Sequence, residues 1–193
     1  IDPLQHHGFI FCSEYDLDQY SSQCMPIEVL MESKSLIKQS KLSIKYSRSK
    51  LKSRNFFKQK ALLFKKTFED GVLAHHQYKG EYLLENYGNI DTMYQMKYFL
   101  SVLASLPVLY LDALGLPCYK KDSFDKVKKH FINEWEIIEK AGIIRSKWPK
   151  YEVHPFAGNQ IPEWLQQELG NNYFERAYKV SNKMLISLSE AEK

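Results

Sequence analysis

Phe57, Ala61, Phe64, Phe68 and Val72 stand at steps of three and four along the chain. No other feature constrains the fold as much, because a helix places all five on one face and a strand cannot. Lys58, Lys65 and Lys66 fall between them, so the segment from about Arg48 reads as an amphipathic helix with one side to bury. Gly71 weakens it locally, yet the spacing predicts continuation toward His75, with Gly80 or Gly88 ending it or the helix that follows. Asp91 is suited to cap a second helix carrying Met93, Met96, Leu100, Leu103 and Leu106 on one side. Pro107 is expected to kink that helix, and Gly115 with Pro117 to end it. A third helix opens at Asp122 or Ser123, turns Phe124, Val127, Phe131, Trp135 and Ile138 inward, and is expected to stop at Gly142. Residues 149–162 read as an irregular aromatic loop. Pro162 suits the first turn of a short helix, and Asn171 or Asn172 caps a last one running to about Ser189.

The first 45 residues have a different texture. Gly8 to Ser13 is short, apolar and aromatic, Ile27 to Met31 alternates with β-branched residues, and Ser35 to Ile37 is a further short candidate strand. Strands followed by helices predict an α+β protein: short N-terminal strands, then a four- to five-helix bundle. Residues 1–47 are read as the end of a larger β-sheet domain and residues 48–193 as a helical domain, since two or three strands do not make a stable sheet alone. The chain opens on Ile1, and further sheet is expected upstream of it.

Composition narrows the class. With 193 residues and 44% hydrophobic content, the chain can bury a core without staples, which excludes wholesale disorder. Three cysteines (Cys12, Cys24, Cys118) without a CxxC pair argue against a disulfide scaffold or a cysteine-rich zinc module and suggest a reducing cytoplasm. The most apolar stretch, Phe99 to Leu111, is too short to cross a bilayer, so no membrane partner is expected. The net charge of +4 hides an asymmetry: Lys34 to Lys66 holds 12 basic residues and no acidic one, leaving 15 basic against 23 acidic elsewhere. Such a block either meets a polyanion, nucleic acid included, or is the solvated face of a helix.

Neither a phosphate-loop nor a dinucleotide-binding glycine pattern occurs, nor the zinc-protease or serine-hydrolase signatures. The pairs His6-His7 and His75-His76 cannot readily chelate one metal each, because neighbours diverge on a strand or a helix. Asp16, Asp18 and Glu28 are a weak candidate for a Mg²⁺ carboxylate set, with an exposed acidic turn as the plainer alternative. The connector from Gly115 to Ser123 sets Lys120 and Lys121 beside a helix N-terminus, where amide groups and the helix dipole favour anions. It reads as a phosphate clamp or as an ordinary helix–helix turn.

Met96 to Val127, with Gly115 ending one helix and Cys118-Tyr119-Lys120-Lys121-Asp122-Ser123 opening the next, resembles the C-terminal helical part of nucleotidyltransferases that adenylylate antibiotics such as kanamycin and streptomycin. Gln5 to Phe11, followed by Ile27 to Leu30, is similar to the last strands of that family's catalytic domain. The resemblance implies transfer of a nucleoside monophosphate from Mg-ATP to a hydroxyl of an acceptor, with this chain supplying the helical substrate-binding part. It implies a nucleotide-binding group of Tyr119, Lys120 and Lys121, and an acidic base from the helical domain, for which Glu69 and Asp70 are the candidates. The family's Gly-Ser and Asp-x-Asp carboxylate motif is missing. The metal carboxylates are expected upstream of Ile1, with Asp2 as a candidate third carboxylate, or Asp16, Asp18 and Glu28 as a diverged set. The other reading is a helical module that pairs with itself or a partner, or binds nucleic acid through residues 34–66, without catalysis.

Overall fold

The computed structural model describes residues 50–78, 81–86, 93–147 and 163–191. Helix α1 spans Lys50–Asp70, strands β1 and β2 span Val72–Tyr78 and Glu81–Asn86, and α2 and α3 span Met93–Leu103 and Leu106–Leu114. Helix α4 (Lys120–Lys128) and a single 3₁₀ turn (Ile132–Glu134) lead into α5 (Glu136–Lys147). Helices α6 (Glu163–Leu169) and α7 (Tyr173–Glu190) complete the described chain.

This is a helical protein, which corrects the α+β expectation. The predicted strands at 8–13, 27–31 and 35–37 lie outside the described residues, as does the 1–47 sheet domain. Among the described residues the β structure is one antiparallel hairpin, β1 with β2, which follows the first helix rather than preceding the bundle. A lone pair of strands forms no layer of its own. The apolar faces of the helices are instead buried against one another.

Helix α1 forms because its apolar spacing finds partners on α3 and α7. Phe57, Ala61 and Phe64 are fully buried, and Ser53 and Thr67 extend the same face. The Thr67 hydroxyl donates to the Leu63 carbonyl at 2.8 Å, which satisfies it inside the core. Phe57 meets Tyr110 edge-on at 5.9 Å between ring centroids, and Phe64 meets Phe99 at 5.1 Å. Phe68, the next member of the predicted stripe, is largely exposed and stacks on Tyr178 of α7. Gly71, at φ 65°, ends the helix in the left-handed conformation, so Val72 and His75 belong to β1 and the expected continuation does not occur.

The apolar run around Phe99 is two helices. The chain breaks at Ala104 and Ser105, the two axes bend by 41°, and Pro107 sits in the first turn of α3 rather than in the interior of one kinked helix. Met96, Leu103, Leu106 and Ala113 are completely buried, so this pair is the centre of the core. No single helix among the described residues is long and apolar enough to cross a membrane. Gly115, at φ 81°, closes α3 as expected: its amide donates to the Asp112 carbonyl and the Leu116 amide donates to Leu111, both at 2.8–2.9 Å.

The predicted third helix is likewise two helices. Val127, Phe131, Trp135 and Ile138 are buried as expected and Phe124 packs edge-on against Trp135, but α4 ends at Lys128 and a 3₁₀ turn intervenes. Gly142 does not stop α5, which runs to Lys147. Ion pairs tie the outer surfaces together: Lys147 with Glu168 joins α5 to α6, and Arg176 with Glu136, at 2.8 Å, joins α7 to α5.

Candidate functional site

Lys120 is the first residue of α4, which follows the extended stretch after Gly115. Tyr119 precedes the helix in an extended conformation and provides no side-chain cap, and Asp122 sets a carboxylate in the first turn. The Lys120 side chain does not reach into solvent. It is partly buried, and its Nζ donates to Ser105 Oγ at 3.1 Å, in the break between α2 and α3. The Ser105 hydroxyl in turn donates to the Ser101 carbonyl at 2.8 Å. This relay fixes the ammonium against the end of α2.

The electrostatics there are unfavourable for a cation. Desolvation by burial, joined by the positive charge of Arg145 on α5, pushes the Lys120 ammonium down to about 8. One turn before Ser101 lies Lys97, whose side chain is only 7% exposed. Lys97, Ser101 and Arg145, with Leu100 and Ala141, line a cavity of about 10 Å³. That is room for one water-sized atom. Three cationic side chains and two hydroxyls therefore gather where α2, α4 and α5 approach one another.

Of the residues singled out in the sequence, Lys120 is the one this arrangement uses. Lys121 is exposed, and Tyr119 is half-buried at the helix start. Glu69 and Asp70 lie at the exposed end of α1, paired with Lys65 and Lys66 of their own helix at 3.8 Å. That is the pattern of a solvated helix end, and no described contact brings them to Lys120. Asp2, Asp16, Asp18, Glu28 and the pair His6-His7 lie outside the described residues. Among the described residues no group of three His, Cys, Asp or Glu side chains could hold a metal ion. The carboxylates to which the nucleotidyltransferase resemblance assigns Mg²⁺ lie outside the described residues. Cys118 is buried and forms no disulfide.

The sequence reading missed Lys97, Ser101, Ser105 and Arg145. The first three do leave a signal: they recur at steps of four through an otherwise apolar run, a polar row that a purely buried helix has no use for. Arg145 leaves none, because its place depends on how α5 packs.

Among the described residues the cavity beside Arg145 is about 10 Å³, smaller than the cleft expected for a triphosphate. The larger described concavity, about 670 Å³, lies elsewhere, between the last turns of α7 and residues 129–134. The described half of the basic block behaves mainly as the solvated face of α1: Lys52, Lys58 and Lys65 are exposed. Two of its cations have structural work. Arg54 Nε donates to the Ala113 carbonyl at 3.2 Å, near the C-terminal end of α3, where a positive charge meets the negative end of the helix dipole. Lys60 lies 5.1 Å from the Phe56 ring centroid and donates to the Tyr98 hydroxyl.

Compared with protein-family models, with curated proteins and with solved structures, the chain gives no match. The likeness to antibiotic nucleotidyltransferases rests on the quoted residues alone.

Proposed function

We propose that this chain is a helical ligand-binding module that grips a phosphate group through Lys120, as the substrate-binding part of a nucleotidyltransferase-like protein acting on ATP and a small hydroxyl-bearing acceptor. The observation that carries the proposal is a single one: a partly buried ammonium, hydrogen-bonded to a hydroxyl, stands in the repulsive field of Arg145. An anion placed there offsets the repulsion between the two positive charges, and hydrogen bonds to an ionised group are roughly twice as strong as neutral ones. The room beside Arg145 admits one phosphoryl oxygen rather than a whole triphosphate, so the nucleoside and the remaining phosphates lie toward the exposed N-terminal turn of α4. For the described residues the proposal is binding, not transfer.

Calorimetric titration of the whole chain with ATP and with inorganic phosphate tests it. ATP is expected to bind, and Lys120→Met is expected to weaken it about tenfold or more, the loss of one charge-assisted hydrogen bond. Equal affinity in the variant, or no binding by the wild type, would refute the proposal.

The exposure of Lys52, Lys58 and Lys65 favours one rival, a non-catalytic module that binds nucleic acid through residues 34–66. That binding would weaken steeply as salt rises. It would be insensitive to Lys120→Met and would lose slope on Lys→Ala changes in the block.

A further inference from the structure

The 670 Å³ groove is lined by the segment 129–134 on one side and by Lys183, Ile186, Ser187 and Glu190 of α7 on the other. Ile186 and Ser187 follow Lys183 by three and four residues, and Glu190 follows them by four and three, so the four share one face of the helix. The face is apolar at its centre and charged at its ends. Ile186 is 51% exposed, and Ile132 across the groove is 67% exposed. Two large aliphatic side chains facing each other in the open cost hydration that a partner could remove. The wall behind them is rigid: the Tyr110 and Ser187 hydroxyls hydrogen-bond at 2.9 Å, Tyr110 packs edge-on against Phe131, and Lys183 is ion-paired with Glu134.

The charges choose the occupant. Lys183 and Glu190 lie equally far, about one turn each, on either side of the midpoint between Ile186 and Ser187. An antiparallel copy of α7 centred on that midpoint sets Lys183 of each chain opposite Glu190 of the other. It also brings the two Ile186 side chains together, over Ile132. A patch that is complementary to itself under a two-fold rotation is what an isologous dimer requires. An apolar centre with a charged rim is the usual anatomy of such an interface.

We infer that the α7 face around Ile186 is a self-association surface, whose partner is a second copy of this chain in antiparallel register. The inference is independent of the anion site at Lys120, which lies at the junction of α2 and α4.

Sedimentation equilibrium of the full chain over a wide concentration range tests it, with circular dichroism confirming that each variant is folded. The wild type is expected to dimerise, and Ile186→Glu to weaken the dimer tenfold or more, as loss of a central apolar anchor does. Glu190→Lys sets like charges opposite each other and is expected to weaken it as well. Adding Lys183→Glu to that variant restores the pairing in swapped form and should recover part of the affinity, against the repulsion between the new carboxylate and Glu134. A wild type that stays monomeric throughout overturns the inference. So does a dimer indifferent to Ile186→Glu, a double variant no tighter than Glu190→Lys alone, or occupation of the groove by an unrelated helix while the chain remains monomeric.

Discussion

Lys120 shows how one side chain can oppose folding and favour binding. Its protonation is easier in the unfolded chain than in the fold, so between about pH 8 and the ordinary lysine value the unfolded state binds more protons. Stability of the free protein from this group therefore rises as pH climbs through that window, and is at its lowest below it. Binding has the opposite sign. An anion needs the ammonium charged, so ATP affinity is expected to fall above about pH 8, by up to about tenfold per pH unit, and Lys120→Met to abolish that slope. The same variant should be neutral to about 1 kcal/mol stabilising at pH 7 in urea titration, since it removes a partly buried cation beside another. Tyr173 is a second test at this scale. It is 1% exposed, and its hydroxyl has no hydrogen-bond partner among the described residues. Burial pushes its phenol pKa up. Tyr173→Phe deletes the unsatisfied hydroxyl while keeping the ring against Phe99, and is expected to stabilise by about 1 kcal/mol.

At the scale of elements, the helices were legible where apolar spacing dictated them, and their ends were legible only where a backbone requirement had a residue signature. Gly115 before Leu116 and Pro117 announced the end of α3. Gly115→Ala forces a side chain into φ 81° and should cost about 1 kcal/mol. Gly71 and Gly142 look alike in the sequence and behave oppositely. At Gly71 the spacing from Phe68 to Val72 suggested continuation, but the chain turns left-handed there. At Gly142 the helix continues, because Ile138, Ala141 and Ile144 are buried around it and outweigh the penalty of about 1 kcal/mol for one glycine. The inward residues from Phe124 to Ile138 kept their facing across a break, since a 3₁₀ turn can preserve the direction of a face that continuous helix would also give. The core around α1 is the stability test: Phe64→Ala removes a fully buried ring and should cost about 3–5 kcal/mol.

At the scale of the whole molecule, short alternating runs near the N-terminus suggested an α+β layout; those runs lie outside the described residues, and the described chain is a helical assembly with one two-stranded hairpin. The site was half legible. Lys120 could be found from its position after a glycine-proline turn, and Lys97, Ser101 and Ser105 from their four-residue row. Arg145 joins them only through the packing of α2 with α5. Glu69 and Asp70 were candidates for the acidic base that the resemblance implies, and the structure pairs them with Lys65 and Lys66 along their own helix. Ligand linkage gives a global readout: ATP at about 100 times its Kd should stabilise the wild type by about 2.7 kcal/mol, seen as a higher Tm, and the Lys120→Met variant far less at the same concentration.

The most direct measurement is a backbone amide NMR titration of the whole chain with ATP. Binding at the proposed site shifts the amides of Ser101, Ser105, Lys120, Lys121 and Arg145, and leaves those around Ile132 and Ile186 in place at constant protein concentration. Shifts confined to other residues, or none at saturating nucleotide, would contradict a phosphate grip at Lys120.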